Sequence, residues 1–326
     1  MSLITTPEDL KPYLPVPYNN RLNSLPDFTL AEEKYLLPIL GQALYNETLQ
    51  PNPSGDMTTL IGKCRAVIAP FGYVDHIDFL QVQLSDNGLV ALEPEQHRKA
   101  YKWENNAVKD TLTNLGFSRQ ESLIQYLTTN KNTYPLWSNS PYNNSDFAFI
   151  RNGEELSTAI TIYQPHRSFM TLKPLFAEIG ELTIKSALSD QYYEDLSERL
   201  LAGTDEILPE EKPVLRLIRM AAARLVMIKA AGVMNVRYSA GAGFTIADTV
   251  KDSPNEGRKN ADQEQLYDFK KELQLSANAL LDKATSILDT GASATAFPLY
   301  YSSDKYINPH VSGMKLRSDR NGMFTL

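Results

Sequence analysis

The 326-residue sequence predicts a mainly α protein built of two tandem duplicated helical domains, each with a small β-hairpin, and ending in an extended C-terminal arm. Three observations predict it. Apolar residues recur at helical spacing over much of the chain, glycine turns stand between alternating apolar residues at two places, and the same order of elements occurs twice.

The first copy spans residues 1–128. ITTPEDLKPYL opens it with a short helix, and YLLPILGQALY, residues 35–45, forms a longer one with Leu36, Leu40 and Tyr45 on its apolar side. LIGKCRAVIAPFGYVDHI then places Leu60, Ile61, Cys64, Val67, Ile68 and Phe71 on one helical face, with a bend expected at Pro70. In DFLQVQLSDNGLVAL, residues 78–92, the turn Asp86-Asn87-Gly88 separates Val82 and Leu84 from Leu89. Asn-Gly tolerates positive φ, so this reads as a hairpin. A helix from Pro94 to Leu115, carrying Tyr101 and Trp103, closes the copy. Residues 129–149, TNKNTYPLWSNSPYNNSDFAF, are rich in Asn, Ser and Pro and lack periodicity, as a linker would.

The second copy, residues 150–289, repeats that order. IRNGEELSTAI stands beside ITTPEDLKPYL, and TIKSALSDQYY beside the 35–45 helix, pairing Ile184, Leu188 and Tyr193 with Leu36, Leu40 and Tyr45. Val214 to Val233 make the long helix, with Pro213 at its first position and Gly232 past its end. Val236 and Tyr238 lead into Gly241 and Gly243, with Phe244 and Ile246 beyond; Ala261 to Leu288, with Tyr267 and Phe269, close the copy. Residues 290–326 form the arm. Phe297, Tyr300, Tyr301 and Tyr306 make it too aromatic for a free tail, so they are expected to bury on this chain or on a neighbour.

Residue chemistry narrows the function. NVRYSAGAGFTIAD looks like a phosphate cradle, but Ile246 stands where a dinucleotide loop needs its third glycine, and no Gly-Lys-Ser/Thr follows. Glycine there serves the hairpin tip. Asp75, His76 and Asp78 are the one set that invites a metal, and a metal-dependent hydrolase centred on them is the alternative function. Their spacing turns adjacent side chains about 100° apart on a helix. His97, His166 and His310 stand alone, and neither a Gly-x-Ser-x-Gly elbow nor His-Glu-x-x-His occurs. Cys64, the single cysteine, allows no intramolecular disulfide and lies on an apolar helix face as an inert thiol. Arg216, Arg219, Arg224 and Lys229 share a helix but do not line one groove-reading face, and they read as salt-bridged surface. The formal charge of −7 argues against a general nucleic-acid binder. With neither an apolar signal region nor a membrane-length apolar run, a cytoplasmic protein is expected, which disfavours a surface adhesin. No cofactor is expected.

The run AEEKYLLPILGQALYNETL, with its Tyr-x-x-Pro-x-Leu-Gly-x-x-Leu-Tyr pattern, together with the Phe-x-Leu at the chain end, resembles an uncharacterised protein family of Bacteroides and their prophages. The resemblance is strongest over residues 28–49. That family is similar in turn to the small helical head–tail connector proteins of tailed phages, which join a few helices to a β-hairpin and assemble as rings between portal and tail. The resemblance implies a virion or neck role, portal and tail proteins as partners, and no enzymatic activity. Connectors usually carry one such domain, so a tandem pair departs from the pattern. The residues expected to make contacts are Asp86, Asn87 and Gly88, Gly241 and Gly243, and Phe297, Tyr300, Tyr301 and Tyr306, joining a homo-oligomer through hairpin and arm.

Overall fold

The computed structural model describes residues 2–14, 27–77, 82–85, 88–91, 101–140, 147–202, 207–239, 243–247 and 263–309. It is mainly α-helical, and its buried apolar residues fall into two clusters, one in each half of the chain.

The N-terminal half begins with α1, Pro7–Leu10. Thr6 caps it: the Asp9 N–H donates to the Thr6 hydroxyl while the Asp9 carboxylate accepts from the Thr6 N–H, satisfying two donors that a helix start leaves open. A bent helix follows, made of α2, Thr29–Ala31, a π-helical turn over Glu32–Leu36, and α3, Leu37–Thr48. The bend is at Gly41, where φ 73° and ψ 159° describe a conformation nearly closed to residues with a Cβ. Next come α4, Gly55–His76, the antiparallel strands β1, Val82–Ser85, and β2, Gly88–Ala91, and then α5, Lys102–Thr129. The helix α4 packs on α5. Leu60, Cys64, Val67, Ile68 and Phe71 are buried at the three-and-four spacing that marks a core face. Phe71 stacks on Tyr35 at 3.9 Å, and Gly116 of α5 makes room for it, since a Cβ there would meet the ring at 2.6 Å. Pro70, where a bend is expected, lies inside α4, which continues through it as one helix.

The C-terminal half has α7, Gly153–Ala159, capped by Asn152, and then α8, Pro165–Ile179. A π-helical turn over Gly180–Ile184 leads into α9, Lys185–Leu188, and α10, Asp190–Leu201. Between the last two sits Ser189 at φ 77° and ψ 150°. The helix α11, Glu211–Val233, packs on α12, Gln263–Gly291, and the antiparallel strands β3, Asn235–Ser239, and β4, Gly243–Ala247, lie between them in sequence. The strand β4 also meets the segment after α7: the Tyr163 N–H donates to Phe244 O at 2.7 Å and the Phe244 N–H to Thr161 O at 3.1 Å. Gly243, at φ 72°, lies so close to Thr161 that a Cβ would fall 2.4 Å from its carbonyl oxygen.

Three boundaries differ from the sequence reading. The expected helix from Pro94 to Leu115 is α5, beginning at Lys102 and running on to Thr129, while residues 92–100 lie outside the described residues. The expected linker contributes to the core at its described buried positions, among them Tyr134, Trp137, Phe147 and Phe149. Its turn α6, Pro135–Ser138, buries Trp137, whose indole N–H donates to Ile39 O at 3.0 Å, and Phe147 and Phe149 lie in the second cluster. The arm folds back as far as it is described. Its turn α13, Pro298–Tyr301, buries Tyr300 against α10 and α12, with the Tyr300 hydroxyl donating to Asp289 at 2.9 Å. Asn, Ser and Pro mark irregular backbone, but the aromatic residues among them decide burial, because each removes about 150–250 Å² from water.

Candidate functional site

Of the expected contact residues, Asp86, Asn87 and Gly241 lie outside the described residues, and Gly88 opens β2 opposite Ser85. Gly243 serves the close approach to Thr161 in this chain. Phe297 and Tyr300 are buried among Tyr192 and the C-terminal core, which leaves neither free to hold a neighbour. Tyr301, 43% exposed, packs on the half-buried Tyr306 at 4.8 Å. The structure therefore buries Phe297 and Tyr300, packs Tyr306 partly against the same core, and leaves Tyr301 the most exposed of the four. The described residues of the set do not converge on one site.

Asp75 and His76 point to structural duties. Asp75 faces Lys34 at 3.9 Å, and the His76 Nδ1–H donates to Gly72 O at 2.8 Å, one turn back on its own helix. Asp78 lies outside the described residues, and among those described no group of three His, Cys, Asp or Glu side chains converges. Cys64 is fully buried, and desolvation, with the Glu32 carboxylate beside it, pushes its thiol far above the ordinary range.

The basic residues of α11 are mostly engaged. The Arg219 Nε–H donates to Phe149 O at 2.6 Å, and its Nη2 pairs with Glu155 at 3.1 Å. Arg224 donates to Met220 O, and Lys229 pairs with Glu178. Arg216 and Lys212 line a shallow cleft of about 290 Å³ beside Thr158 and Arg219. The other half has a matching latch: the Arg65 Nε–H donates to Leu3 O at 2.8 Å and Nη1 pairs with Asp9 at 3.0 Å. In both halves an arginine on the long helix thus holds the carboxylate that closes the first turn of the short helix, and also a carbonyl just upstream of that helix.

A further ion pair locks the α10–α11 corner. Glu211, almost fully buried, accepts from Arg199 Nη1 and Nη2 at 2.8 and 2.7 Å and from the Leu208 N–H at 3.0 Å. Burial alone pushes this carboxyl upward, but the Arg199 guanidinium and the Leu208 N–H more than offset it, so it ends below its ordinary value.

The halves meet through α5 and α8. Glu121 of α5 reaches the open end of α8, where the His166 N–H donates to Oε1 at 3.1 Å and the Arg167 N–H to Oε2 at 2.8 Å. A carboxylate is well placed there, since it satisfies free N–H groups and faces the positive end of the helix dipole. Arg167 lies 3.8 Å above the Phe117 ring, and burial draws its pKa down to about 10. Met170 packs against the N-terminal core. Glu121, Phe117 and Arg167 are not singled out by the sequence, because nothing in their local pattern distinguishes an interface from a solvated face.

Exposed apolar residues gather near the second strand pair. Tyr238 is 63% exposed and leans on Phe244 at 5.2 Å and Phe269 at 6.4 Å; Tyr267, 66% exposed, is two residues before Phe269. Leu275, 62% exposed, lies two turns further along α12. None of these residues carries acid–base or nucleophilic chemistry at neutral pH; they offer contact area. Among the described residues no helix is long and apolar enough to cross a membrane.

No curated protein and no solved structure matches the chain. A family model does match, over residues 34–147 and 184–309, stretches that contain α3 to α6 and α9 to α13. The chain therefore belongs to the family of unknown function DUF6712.

Proposed function

We propose that this chain is a non-enzymatic assembly protein, made of two copies of one helical module, that acts by protein–protein contact as a head–tail connector or tail-associated component of a phage or prophage particle. Portal or tail proteins and further copies of the chain are its partners under this reading.

The observation that carries it is repetition at the level of individual bonds. Gly41 and Ser189 bend equivalent helices at nearly the same φ and ψ, each five residues after a π-helical turn. Arg65 and Arg219 make the same pair of contacts. The turns Tyr134-Pro135-Leu136-Trp137 and Phe297-Pro298-Leu299-Tyr300 close the two halves, on α3 and α10 respectively. Apolar periodicity can align unrelated helices, but it does not reproduce a strained bend and an ion-pair latch in the same order. The copies extend beyond the expected limits to take in α6 and α13. A chain of two like modules joined front to back is suited to building larger symmetric objects from repeated contacts.

The connector assignment is supported by the resemblance over residues 28–49, which fall on the bent helix of the first copy, where the Gly of the motif is Gly41. Electron microscopy of the purified full chain tests the reading. Cyclic class averages are the expected result; fields of single small particles at every concentration would refute the ring.

A further inference from the structure

We propose that the cleft between α7 and α11, rimmed by Lys212 and Arg216, binds an acidic segment of a partner protein. The inference rests on the assembly reading above for the class of partner, and names the chemistry that such a partner carries.

Lys212 and Arg216 stand one turn apart on α11, and both are exposed. Arg219, on the same stripe of the helix, is held by Glu155 and by Phe149 O. Lys212 and Arg216 have no such duty: neither makes an ion pair or a hydrogen bond among the described residues. Like charges at this spacing repel one another, a strain that a bound anion would relieve. The base of the cleft is apolar. Ala159 and Leu215 are buried there, Met220 is half-buried, and the exposed Thr158 stands on the α7 side.

The first half shows that the fold does not need these cations. Aligning the latches, Arg65 with Arg219 and Asp9 with Glu155, puts Thr58 on Lys212, Gly62 on Arg216 and Tyr13 on Ala159. Those three first-half residues line a cleft of their own, about 410 Å³ in volume, which runs on to residues 48–53. There the Tyr13 hydroxyl sits over Gly62, 3.5 Å from where a Cβ would lie. The second cleft lacks that aromatic ring and carries two added positive charges, while the latch is the same.

Charge and shape choose the occupant. A guanidinium and an ammonium above apolar side chains match a carboxylate on a short methylene stem, as in Asp and Glu. The cleft is shallow and, at about 290 Å³, stands at the lower limit of pockets that enclose small molecules, about 300–1,000 Å³; it suits side chains presented by a larger surface. The net charge of −7 opposes a nucleic-acid backbone, which would meet the rest of the chain as like charge.

The test titrates the full-length protein into a fluorescein-labelled hexaglutamate peptide and reads binding by anisotropy. Saturable binding that weakens with added salt is expected. Lys212→Gln combined with Arg216→Gln should weaken it about tenfold or more at an unaltered melting temperature. Thr158→Glu, from the opposite wall, should weaken it as well, and decides the matter if the double variant melts early. Lys283→Gln, which removes an exposed cation of α12, should leave binding unchanged. Absence of binding, equal binding by the double variant, or equal weakening by Lys283→Gln overturns the proposal, and so does tighter binding of duplex DNA that the double variant loses. An assembled wild type that ignores the peptide sinks the cleft and leaves the assembly reading standing; a single-chain wild type that binds it through Lys212 and Arg216 does the reverse.

Discussion

Ser189 holds a backbone conformation that glycine fills at the matching bend, Gly41. A residue with a Cβ at φ 77° carries strain of about 1–3 kcal/mol, while glycine there would cost about 0.5–1 kcal/mol in added freedom of the unfolded chain. Ser189→Gly should therefore raise stability by about 1 kcal/mol, seen as a higher melting temperature; a lower one would contradict the strain argument. Gly243→Ala should do the reverse and lose about 2 kcal/mol or more, because its methyl would enter the Thr161 carbonyl. Gly243 was legible in the sequence as a turn glycine. Its second constraint was not, since Thr161 is distant in the chain.

Glu211 makes a pH prediction. Its folded pKa lies below the ordinary 4.5, so its contribution to stability is complete above that value and is lost as pH falls through the folded value. Glu211→Gln should cost about 2–4 kcal/mol near neutrality and progressively less below about pH 4. Urea titrations across that range check it. A deficit that stayed constant down to about pH 2 would show that the pair with Arg199 is not the source.

At the scale of elements, the two arginine latches should behave alike. Arg65→Met and Arg219→Met each keep the aliphatic stem and remove two charge-assisted contacts, so each should lower stability by about 1–3 kcal/mol in denaturant unfolding. An effect confined to one of them would argue that the contacts are not equivalent. Trp137→Ala should cost about 3–5 kcal/mol, as for a core tryptophan, although its surroundings read as a linker. Helices α3, α4, α11 and α12 were legible because their apolar residues follow a 3.6-residue period. The turns α6 and α13 were not: four residues give no period, and only their tertiary burial reveals them. The latches were equally hidden, since an arginine on a helix face is usually solvated, and the choice of Asp9 or Glu155 as its partner is made by the fold. The two halves also differ in how their π-helical turns pack. Glu32 of the first π-helical turn holds the Tyr45 hydroxyl at 2.6 Å, whereas Gly180 in its place leaves room for Phe147 and Tyr193.

At the scale of the molecule, the two halves meet where Glu121 of α5 holds the start of α8. Apolar spacing and turn glycines make the order of elements in each half legible from the chain alone. The contact between halves is not legible there, because the side chains described at it, among them Glu121, Phe117, Arg167 and Met170, have no pattern of their own. Removal from residue 290 onward should unfold the C-terminal half by exposing the cavity left by Phe297 and Tyr300, read as loss of its cooperative melting transition. Repeated contact, without chemistry, is the function proposed for this arrangement. Native mass spectrometry of the full chain at micromolar concentration tests that claim most directly. One dominant closed stoichiometry of three or more chains is predicted; a single-chain mass at every concentration would contradict it.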